Sequence, residues 1–160
     1  MRNHVSSILF VCTGNVFRSL VAEQALRARL ESGGGCLVGS AGIEARPQPV
    51  HPLVAARMRE KGSDSSGHVQ RKLTGELLAG VGLVVAMGCD HRDFIRRNFG
   101  REAPLFNQVC YEKEEPVLDV GEAVPDWERR QEEARVYTLR VIDYIWDAMP
   151  TFLTRMGRFL

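Results

Sequence analysis

The sequence lacks the features of several large protein classes. Its apolar runs are short, and residues 8–11 fall far below the roughly 20 apolar residues of a membrane-spanning helix. Residues 1–7 are mostly polar and do not resemble a signal peptide. The net charge is only +1, and no dense cluster of lysine and arginine indicates nucleic-acid binding. We therefore expect a cytoplasmic protein with no membrane span and no nucleic-acid partner.

Cysteine is scarce as well, and its spacing excludes the usual metal motifs. The chain has four cysteines in 160 residues, and none forms a Cys-x-x-Cys or Cys/His pattern. A chain of this length buries a sufficient core without disulfide bonds. With 44% hydrophobic and 26% charged residues, the composition is that of a folded globular protein. We expect one domain over residues 1–160, a monomer, with no metal and no other cofactor.

Short apolar segments alternate with amphipathic ones along the chain. Strands are predicted at residues 8–11, 36–38 and 83–87, with a further candidate at 103–106. Helices are predicted from Ser19 to the glycines at 33–35, over 52–61, from a cap at Asp90 to about Phe99, and over 136–149, where Pro150 follows. This alternation favours an α/β fold with a parallel sheet covered by helices on both faces.

The segment from Val11 to Ser19 carries the candidate chemistry. A strand leads into a glycine-containing loop, and the loop leads directly into a helix. Ligands of parallel sheets bind at the carboxyl ends of strands, where Cys12 lies. Backbone N–H groups in such a loop form an anion-binding nest at the positive end of the helix dipole. The predicted phosphate-binding residues are Thr13, Gly14, Asn15, Val16, Phe17, Arg18 and Ser19.

Three side chains of this segment suit phosphoryl transfer. Cys12 is placed to attack as a thiolate, and the planar fork of Arg18 can hold two phosphoryl oxygens. Ser19 can donate a hydrogen bond to the thiolate when it acts as a leaving group. The alternative for Cys12 is a small buried hydrophobe that ends a strand. The joint pattern of strand, turn, Arg-Ser and helix favours the nucleophile.

The run of residues 8–19, with residues 22–23 and 25–26 behind it, resembles the low-molecular-weight protein tyrosine phosphatases. The resemblance extends to residues 40–43, 68–73, 84–87 and 125–126. It implies a three-layer sandwich around a four-stranded parallel sheet, and hydrolysis of phosphotyrosine in proteins or peptides through a phosphocysteine on Cys12. It also implies catalytic roles for Cys12, Arg18 and a general acid at Asp126. Support of the loop is implied for Asn15, Ser19, Ser40 and His68.

The second half of the site departs from that family. Asp126 is followed by Trp127 where the family has proline, which leaves Asp119 and Glu122 as alternatives for the acid. The sequence favours Asp126, because residues 125–126 match and Trp127 can form one wall of a substrate pocket. Arg46 lies near the position where many members carry an aromatic residue, and it is the second pocket candidate, one that favours acidic peptides.

Three other functions stay open. Related phosphoarginine phosphatases carry threonine at the position of Val16, so the valine disfavours that substrate. An arsenate reductase would pass oxidation from Cys12 to two later cysteines, and Cys89 has no second cysteine soon after it. A non-catalytic phosphate-binding module is the third alternative, motivated by the departure after Asp126.

Overall fold

A computed structural model describes residues 6–30 and 35–160 of the chain. The described strands form a parallel sheet in the order β2-β1-β3. The strands are β1 (Ser6–Cys12), β2 (Cys36–Gly42) and β3 (Leu83–Ala86). The helices are α1 (Arg18–Arg29), α2 (Pro52–Glu60), α3 (Gly75–Ala79), α4 (Cys89–Phe99), α5 (Phe106–Tyr111), α6 (Val120–Ala123) and α7 (Gln131–Arg155), and a 3-10 turn follows at Met156–Arg158. The glycines at 33 and 34, predicted to close the first helix, lie outside the described residues.

The central strand β1 is buried on both sides. Its alternate residues Ile8, Phe10 and Cys12 join one core with α1, α2, α5 and α7. Leu9 and Val11 join a second core on the opposite face, with α3 and α4. A strand with two buried faces reads as a continuous apolar run, which explains the sequence of β1. The prediction of a parallel sheet covered on both faces is confirmed.

The prediction of a fourth strand is wrong for the described residues. The segment at 103–106 contributes only one bridge, between Leu105 and Ala86 of β3. The carbonyl of Pro104 accepts a hydrogen bond from the Ala86 N–H at 2.9 Å, but proline has no N–H to return. The Leu105 N–H is bound instead by the Gln108 side chain at 2.8 Å. The next ladder donor is therefore used to begin α5, and the sheet ends there.

Several helix boundaries also differ from the sequence prediction, and the last helix, α7, begins at Gln131 and not at residue 136. The cap of α4 is Gly88, and Asp90 lies within the first turn. Pro150 does not end the last helix, because α7 has 25 residues and continues to Arg155. The missing N–H of Pro150 removes one backbone hydrogen bond, while its neighbours Met149 and Phe152 are fully buried and hold the helix against the sheet. None of the described helices is long and apolar enough to cross a membrane.

The end of β2 sets the position of the loop that follows β1. The Ile43 N–H donates to the Cys12 carbonyl at 3.0 Å, and the Glu44 N–H donates to the Thr13 carbonyl at 2.9 Å. A Cβ on Gly42 would lie 2.5 Å from the Thr13 carbonyl oxygen and 2.9 Å from the Asn15 nitrogen. The two backbones approach this closely only because residue 42 is glycine.

We expect Gly42→Ala to destabilise the protein, since the added methyl group meets backbone atoms that cannot move aside. The free energy of unfolding should fall by about 1–3 kcal/mol, measured by urea denaturation. Gly80→Ala is the matched control, because residue 80 has an ordinary φ of −93° and open space around its Cβ position. Equal stability of the two variants would contradict the close approach.

Candidate active site

The loop between β1 and α1 surrounds the predicted nucleophile. Cys12 is only 2% exposed, and its Sγ lies 2.9 Å from the Ser19 hydroxyl oxygen. Asn15, at the middle of the loop, is fully buried and has a φ of +56°. That left-handed conformation is one that asparagine adopts more readily than most residues. It reverses the chain so that the loop can lead directly into α1.

The orientation of the Asn15 amide is determined by its partners. Its Oδ1 is 3.0 Å from the Arg71 backbone nitrogen, and a backbone N–H can only donate. The Nδ2 group therefore donates to the two nearby hydroxyls, to Ser19 at 2.9 Å and to Ser40 at 2.8 Å. One buried amide thus joins the loop after β1 to β2 and to the segment at residue 71.

The chain of hydrogen bonds has a defined direction at both ends. The Ser40 hydroxyl donates to the Glu23 carboxylate at 3.1 Å, since a carboxylate accepts. The Ser19 oxygen already accepts from Asn15, so its own proton is available to Cys12 Sγ. A hydroxyl proton directed at the sulfur stabilises a thiolate. Glu23 lies in the segment that resembles the phosphatase family, but the sequence analysis gave it no role. The signal for one was a carboxylate on the predicted buried face of α1.

His68 holds the outside of the same loop. Its Nε2 lies 2.6 Å from the Asn15 carbonyl oxygen, so the ring nitrogen donates. The structure therefore brings together all four predicted support residues, Asn15, Ser19, Ser40 and His68. Arg71 also supports the loop, although it was not among the predicted residues. It contributes through its backbone N–H, and no sequence pattern predicts such a contact.

Arg18 lies beneath the loop and is 2% exposed. Its Nη1 donates to the Val117 carbonyl at 2.8 Å, and its Nη2 reaches the Thr13 hydroxyl oxygen at 3.5 Å. Val117 is held in turn by its own N–H, which donates to the Met87 carbonyl just after β3 at 2.8 Å. The guanidinium is thus bound to a carbonyl whose own residue is held by the backbone just after β3.

Two carboxylates face Arg18 from the N-terminus of α6. Asp119 Oδ2 is 3.8 Å from Arg18 Nη2, and Glu122 Oε1 is 3.8 Å from Arg18 Nη1. Both carboxylates are about half exposed. They also form the capping box of α6, in which Asp119 Oδ1 accepts from the Val120 N–H at 2.9 Å. The Tyr137 hydroxyl binds the Leu118 carbonyl at 2.5 Å and so ties this segment to α7.

Asp126, the acid that the sequence favours, has a different setting. It is exposed, its φ is +60°, and its carboxylate makes no ion pair or hydrogen bond to any described residue. Its neighbour Trp127 is 46% exposed and packs near Gly121 of α6, 3.8 Å from the glycine's Cβ position. The predicted pocket residue Arg46 is exposed, with no hydrogen bond or ion pair to the described part of the chain.

His91 is a buried residue of the site that sequence reasoning missed. It belongs to the first turn of α4, and its Nε2 lies 2.8 Å from the Thr13 hydroxyl oxygen. Burial and the positive charge of Arg18 lower the pKa of His91 to about 4, against the opposing effect of Asp90 and Asp119. At neutral pH the ring is therefore uncharged. Its only sequence signal was a histidine three residues after Gly88, at the start of a predicted helix.

The remaining loop residues have structural contacts. The Phe17 side chain packs against the core on the α1 face of the sheet. A Cβ on Gly14 would lie 3.4 Å from the Gln48 amide nitrogen, at the edge of a groove of about 250 Å³ that also borders His68. Cys89 is a half-buried free thiol at the start of α4.

Comparison with known proteins identifies relatives of this arrangement. The sequence model of the family described as low molecular weight phosphotyrosine protein phosphatase matches residues 7–156. The low molecular weight protein-tyrosine-phosphatase Etp of Escherichia coli (strain K12) is 39% identical over 87 residues, which are 54% of this chain and 57% of that protein. A protein-arginine-phosphatase of Bacillus subtilis (strain 168) is 38% identical over 96 residues, 59% of this chain and 63% of that protein. The aligned parts cover less than two thirds of either relative.

Solved structures match over more of the chain. A YwlE arginine phosphatase with a phosphorylated active-site serine has a TM-score of 0.80 and 25% identity, and the match covers 95% of this chain and 96% of that one. The tyrosine phosphatase amsI of Erwinia amylovora has a TM-score of 0.73 at 22% identity, covering 96% and 95% of the two chains. The second likeness concerns the fold alone.

We expect the Asn15 side-chain amide to contribute to anion binding by the loop. We also expect this contribution to be separable from the left-handed backbone conformation of Asn15. Asn15→Gly keeps access to positive φ but loses the amide, whereas Asn15→Ala loses both. Each variant should bind orthovanadate more weakly in calorimetric titrations, and Asn15→Ala should unfold about 1 kcal/mol more easily than Asn15→Gly. Orthovanadate affinity unchanged in both variants would show that the amide does not organise the loop.

Proposed function

The chain belongs to the low molecular weight phosphotyrosine protein phosphatase family, and we propose that it hydrolyses phosphotyrosine in proteins or peptides through a phosphocysteine on Cys12. One observation carries the proposal, namely the directed chain of hydrogen bonds that ends with the Ser19 hydroxyl 2.9 Å from Cys12 Sγ. A cysteine that only filled a core would need no buried hydroxyl aimed at its sulfur. Here the hydroxyl supports a thiolate at the N-terminus of α1.

In the first step the Cys12 thiolate attacks phosphorus opposite the leaving oxygen. The P–S bond forms as the P–O bond breaks, and a carboxylic acid gives its proton to the leaving phenoxide. Arg18 and the backbone N–H groups of the loop neutralise the charge that spreads over the equatorial oxygens. Catalysis in this design depends on positioning and electrostatics, because the protein supplies no other covalent chemistry.

We assign the acid to Asp119 in preference to Asp126. Asp119 Oδ2 faces Arg18 at 3.8 Å, and Arg18 is the residue that would hold the phosphoryl group. Its other oxygen is engaged in capping α6, which orients the carboxylate towards the loop. No comparable contact supports Asp126 among the described residues. The sequence preference for Asp126 rested on the match of residues 125–126 to the family and on Trp127 as a pocket wall, not on any contact with Arg18.

In the second step a water molecule attacks the phosphocysteine. Asp119, now a carboxylate, takes the proton of the water, the P–S bond breaks and inorganic phosphate leaves. Cys12 departs as a thiolate, stabilised by the same Ser19 proton. The reaction restores the starting protonation states and consumes only water.

Substrate preference depends on the outer part of the site. Val16 presents an apolar side chain at the position where related phosphoarginine phosphatases have threonine, and Trp127 offers an exposed aromatic surface near α6. Both suit a phenyl ring. Phosphoarginine is the second candidate, because arginine phosphatases are among the similar proteins and structures. The arsenate reductase alternative is the weakest, since no second cysteine follows Cys89 closely and no hydrogen bond joins Cys89 to Cys12 among the described residues. A cytoplasmic monomer remains a prediction from the sequence.

A panel of phosphorylated peptides tests the proposed function. We expect kcat/KM for a phosphotyrosine peptide to exceed that for the matched phosphoarginine or phosphoserine peptide by at least about tenfold. Cys12→Ser should reduce turnover by about 10⁴-fold or more while it still binds orthovanadate, because the loop N–H groups and Arg18 remain. A preference for phosphoarginine would transfer the proposal to the second candidate, and turnover that survives in Cys12→Ser would refute the nucleophile.

The choice of acid is testable with substituted phenyl phosphates. An acid helps most when the leaving group is a poor one, so its loss should steepen the dependence of kcat/KM on the pKa of the leaving phenol. We expect Asp119→Asn to lower turnover of phenyl phosphate by about 10²–10⁴-fold and that of nitrophenyl phosphate much less. Asp126→Asn is the matched control and should leave the slope unchanged. The reverse pattern would return the acid to Asp126.

A further inference from the structure

The structure holds a buried histidine that the proposed mechanism does not use. His91 is fully buried, and its Nδ1 accepts the Gly88 backbone N–H at 3.0 Å. A backbone N–H only donates, so Nδ1 carries no proton and the neutral ring is protonated at Nε2. Nε2 therefore donates to the Thr13 hydroxyl oxygen at 2.8 Å. One helix-capping interaction thereby determines the tautomer that reaches the catalytic loop.

Thr13 passes this constraint to Arg18. The same hydroxyl oxygen lies 3.5 Å from Arg18 Nη2, while the other terminal nitrogen, Nη1, donates to the Val117 carbonyl. Arg18 also has two charged neighbours, Asp119 and Glu122, each 3.8 Å from the guanidinium. Carboxylates attract an arginine more strongly than hydroxyls do, and they compete with the phosphoryl group for it. A Thr13 oxygen held in one position helps to keep the guanidinium directed at the loop and away from the two carboxylates.

We propose that His91 is a positioning residue that acts through Thr13 to keep Arg18 oriented towards the phosphate-binding loop. A neutral donor is required in this place, because a second cation beside Arg18 would repel it. The ring meets that requirement at neutral pH, since burial and Arg18 hold the pKa of His91 at about 4. Asp90, on the same helix, is 3.5 Å from Nε2 and half exposed, and it does not restore the charge.

Two substitutions separate the link to Thr13 from the cap of α4. His91→Asn can keep an oxygen near the Nδ1 position for the Gly88 N–H, but its amide is too short to reach Thr13. His91→Gln can place an amide N–H near the Nε2 position and so keep the donor to Thr13. If the link matters, kcat/KM for an aryl phosphate falls by about 10- to 100-fold in His91→Asn, and His91→Gln recovers part of that loss. If His91 only caps the helix, the order is reversed and the proposal is wrong.

His51→Asn is the matched control. His51 also accepts a backbone N–H through Nδ1, from Leu53 at the start of α2, but it is exposed, and no hydrogen bond or ion pair joins it to the described residues of the loop. Its substitution should leave kcat/KM unchanged. In a Thr13→Val background, His91→Asn should cause no further loss, because the oxygen that it acts on is already absent. Additive losses in the double variant would contradict coupling through Thr13.

The proposal rests on the proposed phosphatase activity, and a binding measurement distinguishes the two. Orthovanadate affinity, measured by calorimetry, should weaken by about tenfold in His91→Asn and less in His91→Gln. If the wild-type protein turns over no aryl phosphate, the proposed function fails, while the vanadate affinities still test His91. If turnover is normal and neither variant changes vanadate affinity or kcat/KM, His91 has no positioning role.

Discussion

The loop between β1 and α1 depends on one buried amide, that of Asn15. A left-handed residue in the middle of a loop is held there only if its surroundings satisfy every polar group, because an unpaired buried amide is costly. The Asn15 side chain meets the Arg71 N–H, Ser19 and Ser40, and its carbonyl meets His68. The Asn15 side chain and carbonyl are thus satisfied by the protein itself, so the proposed phosphate-binding loop needs no ligand to hold this residue in place.

The same network connects geometry to reactivity. Glu23 can only accept and the Arg71 N–H can only donate, so each hydroxyl between them has one defined role. The proton of Ser19 is left for Cys12 as a consequence. Each terminal nitrogen of Arg18, buried beneath the loop, has one neutral acceptor and one half-exposed carboxylate 3.8 Å away. Neither carboxylate forms a short ion pair with the guanidinium, which is what the proposed binding of a phosphoryl group requires.

Both halves of the site rely on close packing at the carboxyl ends of the strands. Gly42 lets the backbone of β2 contact the loop. The Met87 carbonyl, just after β3, binds the Val117 N–H, and the Val117 carbonyl in turn binds Arg18. The fourth strand predicted by resemblance is reduced to a bridge at Leu105, where Pro104 interrupts the ladder. The site does not depend on that segment, since none of its described contacts involves residues 103–106.

The sequence alone determined the parts of the protein that are local. Three features lie within the twelve residues 8–19: the apolar run of β1, the glycine-containing turn and the Arg-Ser pair at the start of α1. Because they are so close in sequence, their spacing along the chain is enough to predict how they lie in space. The choice between Asp119 and Asp126 was not local. Both follow short apolar segments, and only the folding of α6 against Arg18 placed Asp119 near the loop. His91 and the Arg71 N–H became site residues in the same way. Their contacts join positions more than fifty residues apart, and such contacts follow from the packing of helices on the sheet, which no local pattern encodes.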